Sequence, residues 1–132
     1  KLAEGPVVAS HSNCRALCDV RRNLTDEQLR AIRDTGGVIG VNVYHGFVHA
    51  EPRMQTAAML ARHAAHIAET IGPEHVACGF DFCEYFGPGN EGCEGMENCA
   101  QTGNFFFELE RLGFSAAERQ GITSENLLRV LE

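Results

Sequence analysis

The fold is decided by two short runs, PVVASHSN at residues 6–13 and HVACGFDF at residues 75–82. Each is apolar and rich in β-branched residues until it ends on a polar group, as buried parallel strands do when helices cover the sheet. In barrels of alternating strands and helices, residues at the carboxyl ends of the strands line the active site. His11 and Asp81, which follow these two predicted strands, are therefore candidate site residues.

A third apolar run lies between them, and helical patterns follow all three. Thr25 and Gln28 predict a capping box at the start of the first helix. Strand–helix alternation predicts an α/β fold with a parallel sheet. Three such units are only part of an eight-stranded barrel. The predicted strands cover residues 6–10, 38–44 and 76–82, and the predicted helices cover 25–35, 54–71, 105–113 and 124–131.

We therefore expect residues 1–132 to form the C-terminal portion of a single TIM-like (β/α)8 barrel domain, incomplete in this chain. Two sheet edges would then be open. We expect the side chains of Val7, Val41 and Val76 to meet water when the chain is isolated, and the missing strands to come from an N-terminal part of the barrel. The isolated chain should accordingly be unstable as a monomer.

Composition limits the classes of partner. The 132 residues carry a formal net charge of -7, which argues against nucleic acid or an anionic membrane as a partner. No apolar run approaches the ~20 residues of a membrane span. The first five residues lack the apolar core of a signal peptide, so we expect a cytoplasmic protein.

Six cysteines are many for this length, and none forms a CxxC pair. Reduced thiols are the favoured interpretation, with a disulfide among Cys83, Cys93 and Cys99 or a structural metal site as open alternatives. Residues 83–103 are predicted to form a loop insertion rich in glycine and cysteine. A connection of this length is either functional or mobile.

Several motifs together resemble one family of enzymes. The motifs are PVVASHSN at 6–13, RRNLTD at 21–26, GGVIGVN at 36–42, GFDF at 79–82 and NLLRV at 126–130. They run in the order seen in the C-terminal part of membrane (renal) dipeptidases, which are binuclear zinc metallopeptidases of the amidohydrolase-like barrel class. The resemblance implies a zinc-dependent dipeptidase with a dipeptide substrate, two zinc ions and a homodimeric complete enzyme.

The resemblance also assigns roles to individual residues. His11 matches a zinc ligand, and Asp81 matches the acid that handles the proton of the attacking water. Arg22 matches the arginine that binds the terminal carboxylate of the substrate, while Asn23 beside it orients that loop. Tyr44 is expected to line the substrate pocket. Each role suits the chemistry of its side chain, since imidazole binds zinc, guanidinium binds carboxylate and carboxylate transfers protons.

The sequence departs from the family at one site position. Cys83 stands where the family usually has a second aspartate, and Glu84 is the nearest acid that could replace it. The family's other zinc ligands lie upstream and have no counterparts here. We therefore expect this chain alone to be inactive.

For four further histidines, a role outside the active site is the favoured interpretation. His63 and His66 fall on an outer helix, where packing or solvent exposure is favoured over metal binding. His45 and His49 follow the second strand, where loop solvation is favoured over substrate contact.

Two alternatives to a dipeptidase remain. One is a barrel relative that has lost catalysis and acts as a binding or scaffold module. The other is an unrelated nucleotide-binding sheet domain, although neither GxGxxG nor GxxxxGK[ST] follows any predicted strand.

Overall fold

The computed structural model of the chain describes residues 3–132 and contains one parallel sheet of three strands. The strands are β1 (Val8–Ala9), β2 (Val38–Asn42) and β3 (Val76–Phe80), in the spatial order β1-β2-β3. The predicted α/β architecture is confirmed. The helices are α1 (Asp26–Arg33), α2 (His45–Val48), α3 (Ala57–Ile71), α4 (Thr102–Arg111), α5 (Ala116–Gln120) and α6 (Asn126–Leu131).

Side-chain caps set where the main helices begin. The predicted capping box of Thr25 and Gln28 is present at the start of α1. The helix α3 begins three residues later than predicted, because Thr56 accepts a hydrogen bond from the Met59 N–H at 3.2 Å and caps it there. A 3-10 turn, Pro52–Met54, precedes this cap.

All three strands are shorter than predicted. The last strand, β3, ends at Phe80 because Asp81 has φ 61, a left-handed conformation that cannot continue a strand. The helix α2 lies in a segment where the sequence predicted only a loop.

The predicted loop insertion is also shorter than expected at its end. A 3-10 turn capped by Asn98 leads directly into α4, which therefore begins at Thr102 and not at residue 105. Near the C-terminus, Ser115 caps α5, and a π-helical turn at Gly121–Glu125 joins it to α6.

The core lies between the sheet and its covering helices. Val41 and Val76 are fully buried in the same cluster as Leu60 and Ile67 of α3. The expectation that Val41 and Val76 meet water was therefore wrong, because both side chains point to the helix-covered face of the sheet. Val7 is 37% exposed, as expected for a residue at the open edge.

Close backbone contact brings the carboxyl ends of the strands together. The Ser10 carbonyl occupies the positions that a Cβ atom on Gly40 or on Gly79 would need. Only glycine permits such an approach at these two places. The residues that follow Ser10 and Gly79 consequently emerge side by side.

The opposite end of the sheet is anchored by α6. Asn126 Nδ2 donates to the carbonyls of Pro73 at 2.9 Å and Val76 at 2.8 Å. Arg129 donates to the carbonyls of Gly36 and Glu74. Within residues 3–132, no helix combines the length and apolar character that crossing a membrane requires.

Candidate active site

His11 and Asp81 lie together at the carboxyl ends of β1 and β3. His11 Nε2 is 4.0 Å from Asp81 Oδ2, and the two side chains are 38% and 47% exposed. The other ring nitrogen of His11, Nδ1, is 2.7 Å from the Ser10 hydroxyl. With Nδ1 occupied, Nε2 is the atom that faces the carboxylate and is open to a metal ion or a proton.

The backbone of Asp81 has an unusual conformation. Within residues 3–132, Asp81 is the one non-glycine residue with a positive φ, at 61°. Aspartate is among the few residues that tolerate this conformation, which is often found at functional sites. The Asn42 Nδ2 donates to Asp81 Oδ2 at 3.3 Å, and the Cys83 thiol is 3.7 Å from Oδ1. The carboxylate is thus held between two side chains.

The loop after β1 carries Arg22 and Asn23 to the same end of the sheet. Arg22 is exposed, with its guanidinium carbon 5.9 Å from the centre of the Phe47 ring. Asn23 is 1% exposed, and its Nδ2 donates to the carbonyls of Cys18 at 3.0 Å and Phe47 at 2.9 Å. Asn23 therefore ties this loop to α2, and its side chain does not reach the surface.

A cavity of about 270 Å³ opens beside Asp81. Its walls include Tyr44, Phe47, Phe86 and Cys83, so it is largely apolar with one carboxylate. The Tyr44 and Phe47 rings are in contact, with centroids 4.8 Å apart. The structure thus brings Tyr44 and Asp81 to one cavity, with His11 beside Asp81 and Arg22 beside Phe47. The roles of these residues in catalysis stay predictions.

The chain matches one family of known proteins along its whole length. The family model described as membrane dipeptidase (peptidase family M19) matches residues 1–132. The chain belongs to the membrane dipeptidase family.

Individual members of this family align along nearly the whole chain. Dipeptidase ataJ of Aspergillus terreus is 33% identical over 132 residues, which cover 99% of this chain and 31% of that protein. Human Dipeptidase 3 is 31% identical over 130 residues, covering 98% of this chain and 26% of that protein. The chain thus spans about 30% of the length of the curated relatives that it matches.

A solved structure extends the match to the fold. A metallo peptidase from Rhodobacter sphaeroides, liganded with a phosphinate mimic of the dipeptide L-Ala-D-Ala, superposes with a TM-score of 0.84 and 28% identity. The superposition covers 98% of this chain and 36% of that chain. The prediction that the chain forms part of an amidohydrolase-like barrel is confirmed.

The buried His63 of α3 connects two segments that flank the candidate active site. It is fully buried, accepts a hydrogen bond from the Cys14 N–H at Nδ1 (3.0 Å), and donates from Nε2 to the Val48 carbonyl (2.8 Å). It therefore connects α3 to the loop after His11 and to α2. The sequence placed His63 correctly on a helix, but nothing local indicated this bridging contact. His66, by contrast, is paired with Asp26 at 2.7 Å.

Protonation of His63 should make the protein less stable in acid. Burial, as the main cause, lowers the pKa of His63 to about 4. In the unfolded chain a histidine has a pKa of about 6.5. Between that pH and pH 4, His63 therefore binds a proton in the unfolded state but not in the folded state. The free energy of unfolding should fall by about 3 kcal/mol between pH 6.5 and pH 4, and no further below pH 4 from this group.

Denaturant unfolding of the full-length protein across this pH range measures the effect. His63→Gln should flatten the pH dependence, while His66→Gln, on the same helix, should leave it in place. Equal slopes in the wild type and in His63→Gln would contradict the assignment.

His45 and His49 contact backbone groups, and His75 Nδ1 lies 2.7 Å from the Gly37 carbonyl. His49 Nδ1 accepts the Glu51 N–H at 3.0 Å, and His45 Nε2 lies 3.5 Å from the Gly89 carbonyl. All six cysteines are free thiols in this structure, and burial raises the pKa of Cys14, Cys78 and Cys93 to about 12. The part of the chain described here contains no group of three or more His, Cys, Asp or Glu side chains that could hold a metal ion.

Proposed function

We propose that the full-length protein is a zinc-dependent dipeptidase, to which this chain contributes the C-terminal strands of the barrel. The observation that carries the proposal is the convergence of His11 and Asp81, 4.0 Å apart, at the carboxyl ends of two parallel strands. This is the edge where barrel enzymes place their catalytic groups. Membership of the membrane dipeptidase family supports the same conclusion.

The imidazole of His11 is a suitable zinc ligand, because imidazole nitrogen is among the commonest zinc donors in proteins. The Asp81 carboxylate lies 4.0 Å from His11 Nε2, close enough to act on a water molecule held beside it. Zinc takes four ligands, so the further donors for a two-zinc site would come from the upstream part of the barrel or from water. When bound, zinc would supply a water molecule acidified towards neutrality. His11 would hold one ion through Nε2.

The residues of this chain would perform three tasks: proton transfer, binding of the substrate carboxylate and lining of the pocket. Asp81 would accept the proton of the attacking water and deliver it to the leaving amine. Arg22 would bind the terminal carboxylate of the dipeptide through a charge-assisted hydrogen bond, in a loop that Asn23 holds in place. Tyr44 would line the substrate pocket. We further propose that the complete enzyme is a homodimer, as the family resemblance implies.

The role of Arg22 can be tested by removing either partner of the contact. Arg22→Ala should raise KM for dipeptides by the equivalent of about 1.5–3 kcal/mol, roughly 10- to 150-fold, because a hydrogen bond to a charged group is lost. Dipeptide amides, which lack the carboxylate, should be poor substrates of the wild type and little affected by the substitution. Steady-state kinetics on matched dipeptide and amide pairs measure both effects.

Arg21→Ala is the control, because Arg21 is an exposed arginine at the adjacent position. Equal losses on dipeptides and on their amides would contradict the role of Arg22. A full-length protein that binds dipeptides without hydrolysing them would instead be the inactive binding module.

A further inference from the structure

Two buried asparagines connect the loop after β1 with the end of β2. Asn13 and Asn42 are both completely buried. Asn13 Nδ2 donates to the Asn42 carbonyl at 2.9 Å, while Asn13 Oδ1 accepts the Asn42 N–H at 2.8 Å. Asn13 Nδ2 also lies 3.3 Å from the Phe47 carbonyl. Both peptide groups of Asn42 are therefore bound by one side chain, which fixes the backbone of the last residue of β2.

The side chain of Asn42 is fixed as well. Its Oδ1 accepts the Tyr44 N–H at 2.7 Å. Because an N–H must face the amide oxygen, the amide nitrogen faces the other way, towards Asp81 Oδ2 at 3.3 Å. That carboxylate oxygen is the same one that lies 4.0 Å from His11 Nε2. The fixed Asn42 amide thus donates to the same Asp81 oxygen, Oδ2, that lies nearest to His11.

The backbone of β3 turns Asp81 towards this donor. The pairing of β2 with β3 shifts register between Val41 and Asn42, so that Asn42 pairs with Phe80 and Gly79 is left without a partner. Such bulges commonly redirect a side chain next to an active site. The positive φ of Asp81 then ends the strand. The bulge and the left-handed residue together bring the carboxylate to the Asn42 amide.

We propose that Asn42, held in place by Asn13, is a positioning residue that orients the Asp81 carboxylate towards His11. The kinetic consequence rests on the proposed dipeptidase function, in which Asp81 transfers protons. Asn42 itself is buried and would not touch the substrate. Its loss should therefore lower kcat and leave KM for dipeptides unchanged, in contrast to the loss of Arg22, which should raise KM.

Two variants of the full-length protein isolate the amide donor. Asn42→Asp keeps the oxygen that accepts the Tyr44 N–H but replaces the donor with an oxygen that repels Asp81. Asn42→Ser introduces no buried charge and has a side chain too short to reach Asp81. A carboxylate displaced by about 1 Å can lower the rate about 10²-fold, and we expect a kcat loss approaching that size in both variants.

Asn126→Asp is the matched control. Asn126 is another buried asparagine whose Nδ2 donates to two carbonyls, but it lies at the amino end of the sheet. The Asn126→Asp variant should have a lower thermal unfolding midpoint but no selective loss of kcat. An unchanged kcat in folded Asn42→Ser, or an equal kcat loss in Asn126→Asp, would overturn the proposal.

Crystal structures of the variants separate this proposal from the proposed function. In Asn42→Asp the Asp81 carboxylate should turn away from residue 42 and lose its orientation towards His11. If the wild type hydrolyses no dipeptide, the proposed function fails, but this structural measurement still decides the positioning role. An Asp81 carboxylate that keeps its place in both Asn42 variants would refute it.

Discussion

Dialysis of the full-length protein against a strong chelator should abolish its hydrolysis of dipeptides, and added Zn²⁺ should restore it. The chain places one imidazole and one carboxylate at the site, and neither group alone can make water nucleophilic enough to attack a peptide bond at neutral pH. In the proposed enzyme, bound zinc would supply that activation. Metal analysis of the dialysed protein, paired with rates of dipeptide hydrolysis during zinc titration, measures the effect.

Variants show whether this dependence involves His11. His11→Ala should bind less zinc at a given free concentration and need more zinc for any recovery of activity. His66→Gln removes a partly buried histidine of α3 that is paired with Asp26 of α1, and should behave as the wild type. Full activity in protein shown to be free of metal would refute the proposed function.

Asp81→Asn should lower kcat for dipeptides by about 10²- to 10⁴-fold, the usual contribution of a positioned proton-transfer group. The amide has the same shape as the carboxylate but cannot accept a proton from water. Asparagine also tolerates a positive φ, so this variant keeps the backbone turn at the end of β3. A β-branched replacement would strain the backbone at this positive φ, so a loss of kcat could not be assigned to the missing carboxylate.

The control for this prediction is Asp34→Asn, which changes an exposed aspartate bonded to Arg33 at the end of α1. It should leave kcat and KM unaltered. KM of Asp81→Asn should also stay close to that of the wild type, since Arg22 is untouched. Retention of most of the wild-type kcat in Asp81→Asn would show that another group handles the proton.

The strand endings were predictable because their signals are local. The apolar runs before His11 and Asp81 indicate strands whichever residues lie around them, although β1 forms an edge of the sheet and Val8 is 39% exposed. The parallel direction of the strands then places both endings at the same edge of the sheet, and the structure shows them 4.0 Å apart. The capping box at Thr25 was equally local, since its two hydrogen bonds span three residues.

The exact ends of the elements were less predictable. Asp81 leaves β3 because of its φ, and the 3-10 turn capped by Asn98 extends α4 towards the N-terminus. Burial of Val41 depended on which face of the sheet α3 covers, and the alternation of side chains along a strand does not reveal which face that is.

By itself, the sequence determined the strand–helix alternation, the family resemblance, and the choice of His11, Arg22 and Asp81 as candidate site residues. Only the tertiary structure showed which hydrogen bonds hold the Asp81 side chain in place. Asn42 interrupts the apolar run at residues 38–44, which marks it as unusual, but its partners Asn13 and Asp81 are distant in the chain. Hydrogen bonds between distant residues depend on where the folded backbone places each donor and acceptor, and hydrophobic periodicity carries no information about that placement.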